Sequence, residues 1–258
     1  QEFYLQTSPE FAMKRLLASG YGSIYQLCKA FRHEDKGRYH NPEFTILEWY
    51  RIGFDHFQLM DEVDELLQLI LSCDKAEKFT YQQSFIKYLN IDPLSCSVEQ
   101  LKKSLSKHKI LGDWIENETD LDILFQVLFT ELIEPKIGLD KPCFIYNYPA
   151  SQASLAKISK TDPRVAERFE CYFNGVELAN GFNELTDANE QLIRFQADNV
   201  KRASLGYKDK PIDELFIKGL KAGVPECSGV ALGIDRLMML ALKKKNISSA
   251  MTFDISNA

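Results

Sequence analysis

Residues 28–50 read CKAFRHEDKGRYHNPEFTILEWY, and their reading decides the fold. The segments Ile24 to Phe31 and Glu43 to Tyr50 are rich in aromatic and branched residues, which predicts two strands. Between them Arg32, His33, Glu34, Asp35, Lys36, Gly37, Arg38 and His40 make a loop too polar to pack. A strand period of two puts Phe44, Ile46, Glu48 and Tyr50 on one face of the returning strand and Thr45, Leu47 and Trp49 on the other. One face thus carries an aromatic ring, a carboxylate and a phenol in a row. From the residues alone, an ordinary hairpin whose charges face water is the favoured reading over a binding site.

A long motif separates the two readings. F-R-x-E, a loop and then R-Y-H-N-P-E-F-T-x-L-E-W-Y resembles motif 2 of the class II aminoacyl-tRNA synthetases, in the lysine branch. The resemblance implies an α+β fold, an antiparallel sheet flanked by helices. It also implies ATP as co-substrate: Arg32 grips the α-phosphate, Phe44 stacks on adenine, and His33, Glu34, His40 and Asn41 line the nucleotide site. A planar guanidinium forks onto phosphate oxygens, so the residue types suit the task. Glu48 and Tyr50 are implied to meet the ammonium of a lysine-like substrate.

Working outward, the chain of 258 residues is 45% hydrophobic and 26% charged, which reads as one globular domain over 1–258. No apolar run reaches 18 residues, so no membrane span is expected. A net charge of −6 argues against nonspecific coating of nucleic acid. Six scattered cysteines, with no C-x-x-C and no ligand-like company from His33, His40, His56 or His108, suggest a reducing cytoplasm.

Gln1 to Gln6 reads as the end of a strand. Ser8 is a candidate N-cap for a helix with Pro9 in its first turn, Phe11, Leu16 and Leu17 as its apolar stripe and Gly20 as its stop. The resemblance extends to this T-S-P-E and implies that Ser8, Pro9 and Glu10 line the amino-acid pocket. Residues 57–140 read as a helical insertion, with Phe57, Met60, Val63, Leu67 and Ile70 among its core and Ser97, Thr119 and Asp120 at caps.

CFIYNYP at 143–149 predicts a strand, and Asn174-Gly175 predicts a tight hairpin joining Phe169–Phe173 to Val176–Ala179. Phe173 then faces Val176, Tyr172 faces Glu177, and Glu170 lies diagonally beside Glu177. Unpaired, these carboxylates would repel, and a divalent cation is one reason for such an arrangement; two solvated acids are the other. The resemblance implies the first, with Glu170 and Glu177 holding Mg²⁺ and Leu178 beside the nucleotide. In ELANGFNEL it implies that Asn180 and Glu184 bind the amino-acid substrate.

CSGVALGIDRLMML, from Cys227, predicts a strand feeding a helix with Leu237, Met238, Leu240 and Ala241 on its apolar face. Arg236 in the first turn, where acids are the ordinary choice, points to an anion. The segment resembles motif 3, implying that Arg236 holds the γ-phosphate with Gly233 beside it. Together the motifs imply adenylation by in-line attack, with Arg32 and Arg236 as the catalytic cations.

The marks TSPEFAMKRLL, ILEWY, ASQASLA and CSGVALG resemble most closely the elongation factor P β-lysine ligase family, paralogues of lysyl-tRNA synthetase without the anticodon-binding domain. That implies a ligase taking (R)-β-lysine or lysine, elongation factor P as acceptor protein and a homodimer. A lysyl-tRNA synthetase catalytic domain charging tRNA is the alternative, and a synthetase-like regulator without catalysis stays open. Three departures stand out: Ala231 where the tRNA enzymes carry Gly, His33 where Asn is common and Asn183 where His or Ser is common. Motif 1 is not visible and is expected to precede Gln1.

Overall fold

The computed structural model describes residues 4–33 and 37–258, and Glu34, expected at the nucleotide, lies outside the described residues. In chain order, helix α1 (Glu10–Ala18) leads to strands β1 (Ile24–Phe31) and β2 (Glu43–Ile52). Helix α2 (His56–Leu71), strand β3 (Glu77–Thr80) and helices α3 (Tyr81–Leu89), α4 (Val98–Lys107), α5 (Asp113–Asn117) and α6 (Leu121–Leu128) follow. Strands β4 (Cys143–Pro149), β5 (Val165–Phe173) and β6 (Val176–Asn183) come next, then helices α7 (Ala188–Ser204) and α8 (Glu214–Gly223), strand β7 (Cys227–Gly233) and helix α9 (Ile234–Ala241). Antiparallel pairing with separate helices makes the chain α+β.

The sequence reads as one domain, whereas the chain divides into two compact units. The first joins Gln1–Asp55 to Asn183–Ala258, and the second is His56–Phe182. The second unit begins where the helical insertion is expected but runs on through the Asn-Gly hairpin, because β3 and the helices after it pack against β4.

In the first unit β2 is flanked antiparallel by β1 and β7. The register sets Tyr50 opposite Gly229, Glu48 opposite Ala231 and Ile46 opposite Gly233. Paired residues share a face, so β7 offers only small side chains to the Phe44–Tyr50 stripe. Helix α1 is capped less simply than expected: Ser8 Oγ accepts from the Glu10 N–H at 3.0 Å, while Pro9 holds the entry. Of the expected stripe Leu17 is buried, with Met13 and Lys14 beside it, while Leu16 is 39% exposed. Phe11 instead stacks on Phe216 of α8, with ring centroids 4.2 Å apart. Tyr4–Gln6 is not a strand, though the Gln6 carbonyl accepts from the Phe31 N–H at 2.9 Å.

In the second unit β3 runs parallel to β4, and β4, β5 and β6 continue antiparallel. The helices cover Tyr81, Phe85, Phe125, Leu128 and Phe129 in one apolar cluster with Ile145 and Tyr148 of β4. Asn174 and Gly175 both take positive φ, 52° and 70°, as a two-residue turn matched to strand twist requires. Phe173 pairs with Val176 and Tyr172 with Glu177 as the turn predicts, but the register then shifts, so that Cys171 meets Ala179 and Glu170 meets Asn180. Ser97 forms a capping box with Gln100, and Asp120 caps α6, which leaves Thr119 without that role. Met60, Val63 and Leu67 of α2 are buried as the spacing expects, whereas Phe57 and Ile70 at its ends are 43% and 40% exposed.

Candidate active site

Three carboxylates and one ammonium meet in the first unit. Glu48, on β2, is 2% exposed and accepts from Ser8 Oγ at 2.7 Å and from the Tyr50 hydroxyl at 2.7 Å. Glu184, just beyond β6, is 1% exposed. Lys14 of α1, equally buried, places its Nζ 2.7 Å from Glu10 Oε1 and 2.6 Å from Glu184 Oε2. Gly229 makes the closeness possible: a Cβ there would stand 2.3 Å from the Tyr50 ring and 2.4 Å from Glu184 Oε1.

The electrostatics follow from the count, because three acids share one built-in cation away from water. Burial, with Glu10 adding repulsion, pushes the Glu48 carboxyl up to about 7 against the pull of Tyr50, Ser8 and Lys14. Burial pushes Glu184 up to about 8, although Lys14 pulls it the other way. Burial and the surrounding carboxylates raise the Tyr50 phenol, which stays a donor. Burial works against the Lys14 charge, but Glu10 and Glu184 outweigh it and raise the ammonium above its ordinary range. Such a cluster stabilises an added cation in place of the protons it holds.

The loop after β1 is anchored by the chain's last third. Arg236, in the first turn of α9, sets its Nε 3.2 Å from the Tyr39 carbonyl and its Nη2 2.9 Å from His40 Nε2. Asp235 accepts from the Thr45 N–H at 2.5 Å. Asn41 is buried, donates to the Glu43 carbonyl at 2.6 Å and accepts from the Ile255 N–H at 3.0 Å, so it braces the loop. The exposed Arg32 lies over the Phe44 ring, 5.1 Å from its centroid, and His33 beside it is exposed. A guanidinium, an aromatic face and a second arginine on one loop system suit a nucleotide's phosphates and base. Pro9 is buried at the foot of α1, Ala231 is half-buried opposite Glu48, and Gly233 is half-buried at the start of α9. Helix α9 turns Leu237 and Met239 inward and leaves Met238 42% exposed, one residue out of the expected register because Asp235 is buried against β2.

The second unit holds Glu170, Glu177, Leu178 and Asn180. Glu170 is not an uncompensated carboxylate. Its Oε2 accepts from Tyr148 at 2.7 Å and from Tyr172, and its Oε1 accepts from Asn180 Nδ2 at 3.2 Å and pairs with Arg168. Repulsion from Glu177 is therefore no reason for a cation at Glu170, and its oxygens do not fit one. The register shift explains this, because it turns Asn180 rather than an acid toward Glu170. Among the described residues the buried Asn180 Oδ1 has no donor, which makes it an acceptor ready for a ligand N–H. Glu177 is half-buried, and Leu178 is buried on the far face of β6 from it. Among the described residues, no group of three or more His, Cys, Asp or Glu is arranged to hold a metal ion.

Sequence reasoning missed Lys14, Gly229, Arg168, Tyr148 and Tyr172. Lys14 had a signal, since Glu10 and Lys14 stand at the i,i+4 spacing of a helical ion pair. Arg168 and Tyr172 had one too, since they flank Glu170 two residues away on the same strand face, while Gly229 and Tyr148 are brought in by packing.

Comparison with known proteins gives the chain its family. The pattern of the family described as tRNA synthetases class II (D, K and N) matches residues 1–257, and the chain belongs to that family. The protein named elongation factor P–(R)-beta-lysine ligase in Photobacterium profundum is 58% identical over 258 residues, covering 100% of this chain and 80% of the relative. Relatives of the same name in Photorhabdus laumondii and Pectobacterium atrosepticum are 60% and 58% identical over 255 residues, each covering 99% of this chain and 78% of theirs. Within the class, the chain stands in the elongation factor P–(R)-β-lysine ligase family.

Proposed function

We propose that this ligase activates (R)-β-lysine with ATP and transfers it to a lysine side chain of elongation factor P. The observation that carries the reading is the acid cluster, in which Glu10, Glu48 and Glu184 face one internal ammonium. A site built to pair a buried ammonium rejects an uncharged analogue by ~10⁴-fold, the scale reached when buried polar groups lose their partners.

ATP supplies the α-phosphorus that the substrate carboxylate attacks, and pyrophosphate leaves. Arg32 and Phe44 hold the α-phosphate and adenine, with His33, Glu34 and His40 beside them. Asn41 braces the loop and Arg236 meets the γ-phosphate. Asn180 Oδ1 accepts from a substrate N–H, and Ser8, through Glu48, keeps the carboxylate aligned with Tyr50. No protein nucleophile is needed, since alignment and charge stabilisation carry the step. In transfer, the acceptor lysine amine attacks the acyl carbon, an amide forms, AMP departs and the amine loses its proton. A magnesium ion, as the family resemblance implies, would have Glu177 as its protein carboxylate and would neutralise phosphate charge; the oxygens of Glu170 are taken by Tyr148, Tyr172, Asn180 and Arg168.

Ala231 lies opposite Glu48, so its methyl narrows the floor beside the acid and favours an amine displaced to the β carbon. Ala231→Gly is expected to relax the preference for β-lysine over α-lysine in pyrophosphate exchange, and an unchanged ratio contradicts this role. We place the enzyme in the cytoplasm as a homodimer; no described helix is long and apolar enough to cross a membrane. Ligation with purified elongation factor P, comparing β-lysine, α-lysine and tRNA as inputs, tests the whole reading. Charging of tRNA with lysine, without modification of elongation factor P, would establish the synthetase alternative.

A further inference from the structure

Lys14 is a buried cation that the reaction as proposed does not use. It sits one helical turn after Glu10, is 1% exposed, and touches carboxylates from two separate stretches of chain, Glu10 at 2.7 Å and Glu184 at 2.6 Å. The Phe216 ring, 5.9 Å from the Nζ, closes its other side. Burying an ammonium is expensive unless it is paired, and an apolar residue of the same volume would commonly serve stability as well. Its retention here therefore calls for a role at the site.

Charge arithmetic supplies one. With all three of Glu10, Glu48 and Glu184 ionised, as when a cationic ligand has displaced their protons, the single Lys14 ammonium leaves two negative charges. A diamino acid brings two ammonium groups. We propose that Lys14 is a positioning residue that sets the cluster's charge deficit at two, orients Glu10 and Glu184 toward the ligand, and so selects a substrate with two amines. The proposal rests on reading the cluster as the substrate site. Among the described residues the titratable groups around Lys14 are Glu10 on its own helix, Glu48 and Tyr50 on β2 and Glu184 after β6, with Cys28 of β1 beside Glu48. Without Lys14 the carboxyls would take up protons, which a ligand ammonium must then displace.

The test is steady-state pyrophosphate exchange by wild type, Lys14→Met and Lys14→Arg across pH 6–9, with melting curves confirming the fold. For Lys14→Met, KM for β-lysine is expected to rise by about tenfold or more near pH 7, the equivalent of about one pKa unit, and to recover toward alkaline pH. KM for ATP should stay within a few-fold, and Lys14→Arg should restore the wild-type profile. A folded Lys14→Met with the wild-type KM and pH profile overturns the proposal while leaving the substrate site intact. Wild type that exchanges with no diamino acid overturns the reading of the site itself. Should Lys14→Met not fold, Lys14→Arg decides: a wild-type pH profile supports the charge role, and a KM raised at every pH overturns it.

Discussion

A single acid in one unit of this molecule and a cluster of three in the other have opposite balances. In the second unit Glu170 has an arginine, two phenols and an amide arrayed on its two oxygens, all from the chain itself. In the first, Glu10, Glu48 and Glu184 share Lys14, a hydroxyl and a phenol, and two of the three carboxyls are pushed toward neutrality. A buried carboxylate that the chain fully satisfies is part of the scaffold. One left short of positive charge is built for something that arrives. The difference separates Glu170 from Glu184, although both follow directly from strand-borne motifs.

The sharpest way to break the contrast is to remove a partner from each group. Arg168→Met leaves Glu170 buried and unpaired and is expected to destabilise by about 3–5 kcal/mol, read from the urea midpoint. A loss below about 1 kcal/mol would show that Glu170 is not scaffold. On the proposed reading Glu184→Gln takes away a ligand partner, and kcat/KM for β-lysine is expected to fall by about 2–5 kcal/mol of transition-state stabilisation while the fold persists. Equal kcat/KM in the variant would remove Glu184 from the site. Gly229→Ala forces a methyl against Tyr50 and Glu184, with an overpacking cost of about 1–3 kcal/mol and a larger rise in KM for β-lysine than for ATP.

The smallest effect is the pH dependence. Glu48 and Glu184 titrate above their ordinary value of 4.5, so the unliganded fold holds protons that the unfolded chain would release. Their contribution to stability is therefore greatest below about 4.5 and falls as pH rises through 7 to 8. Ligand affinity moves the other way, because an ammonium replaces those protons. Binding of β-lysine should strengthen between pH 6 and 8, by at most about tenfold per pH unit for each proton displaced. Affinity flat across that range would mean that the acids are already ionised.

Much of this was legible in residues 28–50. Two strands, a polar loop and the Glu48–Tyr50 stripe follow from period and composition, and the Asn-Gly turn fixes the second hairpin down to Tyr172 facing Glu177. What the sequence hid depends on packing between distant segments. Lys14 stands in an apolar stripe and looks like a solvated charge until Glu184, 170 residues later, closes over it. The partners of Glu170 come from β4, from β5 and from a bulged β6, and a one-residue shift in register is invisible in a strand pattern. The short parallel strand β3 carries no period of its own and reads as part of the helical stretch. The small residues of β7 were visible as G-x-A-x-G, but their reason, the ring and carboxylate pressed against Gly229, needed the register with β2.

The central claim is that the first unit's charge deficit exists for a substrate ammonium. Calorimetric titration of the wild-type chain with (R)-β-lysine and with 3-aminohexanoate, which lacks only the terminal amine, tests it most directly. β-Lysine is expected to bind ~10⁴-fold more tightly, with release of protons to the buffer. Affinities within a few-fold of each other would contradict it.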